Sequence, residues 1–156
     1  MKAVFAIADT NRSVVATELS KILADEYVLY TKTKNAHWNV ANADHFDKHK
    51  FFECQFRRVE QFIEMIATQI RSIGCYPPAT LNSFLLLTRL KEIDAENNSS
   101  QGFIKELLSD HECIIMQLRK TNDYIDNDFH HPGTSIFITR LLENHLRMAG
   151  TLRAHL

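Results

Sequence analysis

Only four glycines and three prolines occur in 156 residues, so this chain has few places at which to reverse direction. β-Sandwiches and barrels turn about every 8–12 residues and use Gly and Pro at those turns. The scarcity predicts an all-α fold of a few long helices. Two of the prolines fall together in Tyr76-Pro77-Pro78, just after Gly74, and mark one main break near mid-chain. Proline lacks the N–H that a helix interior requires, so no helix runs through this point.

Apolar spacing locates the helices. From about Asn11 to Val40, the residues Val15, Leu19, Ile22, Leu23, Tyr30 and His37 share one face at helical periodicity, and Glu26 falls on it too. Asp9, Thr10 or Asn11 can cap this helix. After a break at Ala41–Asp44, a second helix is predicted from His45 to Ile73, with Asp44 as N-cap. Phe52, Phe56, Val59, Ile63, Ile66 and Ile70 form its inward stripe, and Gly74 fits the left-handed position past its end. Leu81–Leu90 reads as a short helix inside a long connection.

Ser99 or Ser100 can cap a third long helix, Gln101–Ile125, with Phe103, Leu107, His111, Ile114 and Leu118 inward. Asp126–His131 reads as a loop, and Pro132 suits the first turn of a fourth long helix. Ile138, Leu141, Leu142, His145, Met148 and Leu152 form the apolar face of that helix. Two long helices, one long crossover holding a short helix, then two more long helices is the ferritin-like four-helix bundle. The length suits a single domain over residues 1–156.

Charge and composition remove several function classes. The net charge is -1 and no long Lys/Arg run is present, so the chain offers no obvious electrostatic footprint for nucleic acid. No apolar stretch approaches the ~20 residues of a membrane span. The opening MKAVFAIADTNRS carries one Lys and a short apolar run, and lacks the longer apolar region and small-residue cleavage site expected of a secretory signal. Cys54, Cys75 and Cys113 are odd in number, far apart and form no CxxC pair, which predicts a reducing, cytoplasmic setting.

Imidazole and carboxylate groups are the candidates for chemistry, because together they suit divalent metal ions with open coordination positions. His37 lies on the apolar face near the end of the first helix. His49 and Glu53, spaced i, i+4, point the same way on the second, and Glu60 and Glu64 continue that line along the shoulder of the apolar stripe. A ladder of surface ion pairs fits the same spacing, since Glu53 and Arg57 are a favourably oriented i, i+4 pair. His37 taken alone also fits a half-buried histidine without a ligand role. His111 and His145 lie on apolar faces without carboxylates at ligand spacing and read as core or interface histidines. The chain has no Glu-x-x-His, the pair from which bundles build a di-iron centre inside one subunit. Any metal site here therefore needs ligands from elsewhere, such as a neighbouring chain.

The run KNAHWNV, followed by Phe46, His49 and Ile70-Arg71-Ser72-Ile73-Gly74, resembles the Dps (mini-ferritin) family. The resemblance continues through Asp110-His111-Glu112, Ile114-Ile115 and Leu118-Arg119-Lys120 to Leu152-Arg153-Ala154-His155-Leu156, and so spans about Leu19 to the C-terminus. It implies a homo-oligomer, a hollow dodecamer, with ferroxidase centres at two-fold interfaces built from both subunits. Iron(II) is oxidised there, preferentially by hydrogen peroxide, and stored as a ferric mineral.

Carried over by position, the resemblance assigns His37, His49 and Glu53 to one side of the iron site, Glu53 standing where Asp is usual. The other subunit supplies Glu64, again in place of Asp, and Thr68 stands where the family has its bridging Glu. A neutral hydroxyl cannot replace a carboxylate's charge, so the expectation is a weakened, single-metal or remodelled iron site. Family members bind DNA through Lys/Arg-rich extensions, whereas only Lys2 and Arg12 precede the bundle here, so strong DNA binding is not expected. Asp123, Asp126 and Asp128 fit the acidic channels of such shells and fit a solvated acidic loop equally well. Three function classes stand: a peroxide-consuming ferroxidase and iron store, a shell-forming relative without that activity, and a four-helix protein unrelated to iron.

Overall fold

The computed structural model describes residues 9–41, 45–92 and 99–156. Five helices follow in order: α1 (Asp9–Asn39), α2 (His45–Ser72), α3 (Leu81–Leu87), α4 (Ser100–Phe129) and α5 (Pro132–Arg153). No strand occurs among the described residues. α1 packs along α2, α4 packs along α5, α1 also meets α4, and α3 lies against α1. The predicted all-α bundle with a short helix in its crossover is the fold observed.

Local chemistry sets most of the ends. Gly74 has φ 84, and its N–H donates to Arg71 O while Cys75 N–H donates to Ile70 O. These two bonds are the Schellman pattern, which takes up carbonyls left over at the end of α2. Thr80 Oγ1 accepts from Ser83 N–H and starts α3; Ser99 Oγ accepts from Gly102 N–H and starts α4. His131 caps α5 through Thr134 N–H, with Pro132 in the first turn. Because α1 starts at Asp9, Thr10 and Asn11 lie inside it instead of before it. The cap expected at Asp44 lies outside the described residues.

Two boundaries differ from expectation by three residues or more. α3 stops at Leu87, three residues early, because Thr88 turns to extended geometry and donates its hydroxyl to Asp25. α4 runs on to Phe129, so Asp126 and Asp128 are helical and only His130 and His131 separate α4 from α5. Ile125 and Phe129, four residues apart, extend the apolar stripe, and Phe129 packs on the core. His130 then takes the left-handed conformation at φ 46 that ends the helix.

The core is aliphatic and aromatic. Leu19, Ile22, Leu23, Phe52, Phe62, Ile66, Ile104, Ile114, Leu118 and Ile125 are among its fully buried members. Each such side chain contributes about 1.5–3 kcal/mol by leaving water.

One buried carboxylate fixes the crossover to this core. Asp25 is 1 % exposed and accepts from Thr88 Oγ1, Arg89 N–H, Arg89 Nε and Arg89 Nη2. Replacing Asp25 with alanine leaves the half-buried guanidinium and the Arg89 amide without their acceptor. We expect Asp25→Ala to cost about 3 kcal/mol and to speed proteolysis within the crossover. Urea unfolding and limited digestion would check both; unchanged digestion would mean that the crossover is held by other contacts.

Candidate metal centre

The last turn of α1 and the first turns of α2 bring His37 and His49 face to face. Their ring centroids are 3.8 Å apart with planes inclined by 28°. Each ring serves the other's backbone: His37 Nδ1 lies 2.9 Å from His49 O, and His49 Nδ1 lies 2.8 Å from His37 O. A carbonyl only accepts, so both Nδ1 atoms carry hydrogen when these bonds form, and the lone pair of each neutral ring sits on Nε2. Metal-binding histidines are commonly oriented by such a bond from the second ring nitrogen. Phe56 packs on His37 with ring centroids 5.1 Å apart and planes inclined by 64°.

Glu53 lies one turn beyond His49 and is half-buried. Arg57 donates through Nε at 2.9 Å and through Nη2 at 2.7 Å, both to Glu53 Oε1. The hydrogen bond from Arg57 is the main reason why Glu53 ionises below the ordinary carboxylate range, and the nearby His37 and Lys50 act in the same direction. The ion-pair reading of this spacing therefore holds within one chain. Glu53 meets a metal only by sharing itself with, or releasing, that guanidinium. Lys34, which the spacing argument did not single out, stands 4.1 Å above the Phe56 ring and adds positive charge beside the histidines.

Glu64 and Thr68 are exposed on α2. Eleven residues separate Glu53 from Glu64, which at about 1.5 Å per residue is roughly 16 Å of helix. The two carboxylates cannot meet one ion within a single chain. Consistently, no group of three or more His, Cys, Asp or Glu side chains is gathered for metal binding among the described residues. Within one chain, His37 and His49 are brought together and Glu64 lies well away from them.

His111 and His145 belong elsewhere. Both are buried, and both join Glu26 in the middle of the bundle: His145 Nε2 lies 2.7 Å from Glu26 Oε1 and His145 Nδ1 lies 2.9 Å from His111 Nδ1. Periodicity assigns each of the three to an apolar face, and that shared anomaly was the only sequence signal of their meeting.

Comparison with known proteins agrees with the architecture. The ferritin-like domain family matches residues 16–156. An uncharacterised low temperature-induced protein of Nostoc is 34% identical over 148 residues, covering 95% of this chain and 83% of that protein. DNA protection during starvation protein 2 of Bacillus anthracis is 31% identical over 117 residues, 75% of this chain and 79% of that protein. Among solved structures, a Dps protein from Vibrio cholerae superposes with a TM-score of 0.89 at 20% identity, covering 95% of this chain and 92% of that one. With the helix order, the extent of the match and the His37–His49 pair on one footing, the chain belongs to the ferritin-like proteins and, among them, to the Dps family.

Proposed function

We propose that this chain is a mini-ferritin subunit that assembles with copies of itself into a hollow dodecamer, binds iron(II) at the seams between subunits, oxidises it and stores it, and so limits oxidative damage. The observation that carries this reading is the His37–His49 pair, oriented by reciprocal carbonyl hydrogen bonds. The Vibrio cholerae relative in fold is described as a member of the ferritin-like diiron-carboxylate proteins, which supports iron as the ion. In the seam, His37, His49 and Glu53 of one subunit would face Glu64 of the next. Hydrogen peroxide would take one electron from each of two iron(II) ions and, as its O–O bond breaks, take up two protons to become two waters, leaving two ferric ions for the mineral.

The site would be weaker than the family pattern. Thr68 removes a negative charge, and Arg57 already occupies one oxygen of Glu53. These two features favour, as the second reading, a shell that stores or encloses without oxidising. A cytoplasmic location is consistent with the three free thiols at Cys54, Cys75 and Cys113. No helix among the described residues is long and apolar enough to cross a membrane. Strong DNA binding is not part of the proposal, and a gel shift showing tight, salt-sensitive retention of duplex DNA would contradict that.

Light scattering and iron(II) titration test the two levels separately. A dodecamer that binds iron(II) saturably, with the binding lost in His37→Ala, is the expected result. A monomer or simple dimer would remove the shell. Saturable binding that survives His37→Ala would move the site away from this seam.

A further inference from the structure

A second set of ionisable groups lies in the core, away from the seam. Glu26 on α1, His145 on α5 and His111 on α4 are each at most 1 % exposed. α1 packs on α2 and α4 and not broadly on α5, so the Glu26–His145 contact reaches across the bundle's diagonal. His111 continues the line, and the Phe62 ring from α2 closes it with a centroid 5.2 Å from that of His145. All four long helices meet at this layer. Glu26 Oε2 is buried and has no hydrogen-bond partner.

The surrounding charges are engaged elsewhere. On α1, Asp25 is held by Thr88 and Arg89 of the crossover, and Lys32 by Glu106 and Asp110 of α4. From α2, the apolar Phe62 ring packs on His145. The three groups also string out instead of converging, because Glu26 and His111 meet opposite nitrogens of His145. A metal ion held by all three would need a common point, which this line lacks. A proton needs only a line.

Hydrogen counting shows how one fits. With Glu26 ionised and both rings neutral, His111 Nδ1–H donates to His145 Nδ1, and His145 Nε2–H donates to Glu26. Both short contacts are satisfied, but a net negative charge stays in an apolar core, which is unfavourable. One added proton at His111 Nε2 changes this. The proton on His111 Nδ1 passes to His145 Nδ1, and the one on His145 Nε2 is shared with Glu26 Oε1. Every contact keeps a hydrogen, and the charge is cancelled. Burial, aided by the charge of His145, keeps His111 itself neutral, so the added charge rests at the Glu26–His145 link.

We propose that Glu26, His145 and His111 form an internal binding site for one proton, and that its arrival reverses the hydrogen bond between His111 and His145 while the heavy atoms stay in place. The site does not depend on iron or on the seam.

Magic-angle-spinning NMR of the sedimented, histidine-15N-labelled protein reads the tautomers directly, whatever the assembly's size. Between mildly alkaline and mildly acidic pH, His111 is expected to change from the Nδ1–H to the Nε2–H form while His145 gains its Nδ1 hydrogen in the same step. Glu26→Gln removes the buried charge and should abolish the change. A His111 ring that keeps one tautomer throughout, with the fold intact, would overturn the proposal, as would a change that persists in folded Glu26→Gln. Should Glu26→Gln fail to fold, the wild-type series decides alone.

Discussion

Replacing His145 with leucine is expected to lower the stability of the fold by about 3–5 kcal/mol, although leucine is the more apolar residue. His145 is fully buried, and so is Glu26, its partner at 2.7 Å. Removing the imidazole leaves a carboxylate in the bundle's centre without its donor at Oε1, and Oε2 already has none. It also strands His111 Nδ1, which faces His145 at 2.9 Å. The double replacement Glu26→Leu with His145→Leu should recover most of the loss, because a buried ion pair exchanged for apolar groups of similar volume is often neutral or better. Urea midpoints at a single protein concentration measure both, and the concentration must be fixed because assembly adds to apparent stability. A single variant within about 1 kcal/mol of the parent would show that the core carries Glu26 without help from His145.

That chain also marks where sequence reading ends. The long helices were legible because residues such as Val15, Leu19 and Ile22, or Phe52, Phe56 and Val59, repeat at the helical period. Gly74, Ser99 and Pro132 were legible as ends because their backbone or hydroxyl chemistry acts within a few residues. The tail of α4 was not, because Asp126, Asn127 and Asp128 look like a loop, whereas Ile125 in the core and Phe129 packed on it carry the helix through them. Thr88 and Arg89 reach Asp25 across 63 and 64 residues, and His145 reaches Glu26 across 119, distances at which periodicity carries no information. At the candidate centre, spacing alone put Glu53 beside Arg57, and that pair is present. The pairing of His37 with His49 came from the family resemblance, since no local rule ties the end of one helix to the start of the next.

The proposed seam is best probed by placing a carboxylate at Thr68, the position where the family pattern has one. Thr68 is exposed on α2, one turn beyond Glu64 and on the same side of the helix. In the metal-free protein, Thr68→Glu should cost a few tenths of a kcal/mol, because like charges at i, i+4 repel. With iron(II) present, the sign should reverse. A unit charge about 4 Å from another contributes roughly 4 kcal/mol at an effective dielectric near 20, and more for a dication, before exposure and desolvation are subtracted. A net gain of about 1.4–2.8 kcal/mol, or roughly tenfold to a hundredfold in affinity, is the expected remainder. Cobalt(II) can report affinity without turnover, and peroxide-driven iron(II) oxidation reports the chemistry. Both should rise in Thr68→Glu, and both gains should vanish when His37→Ala is added, because the new carboxylate then faces a seam without its first imidazole. Equal affinity and equal turnover in parent and variant would mean either that the site works without a bridging carboxylate or that position 68 does not face the metal.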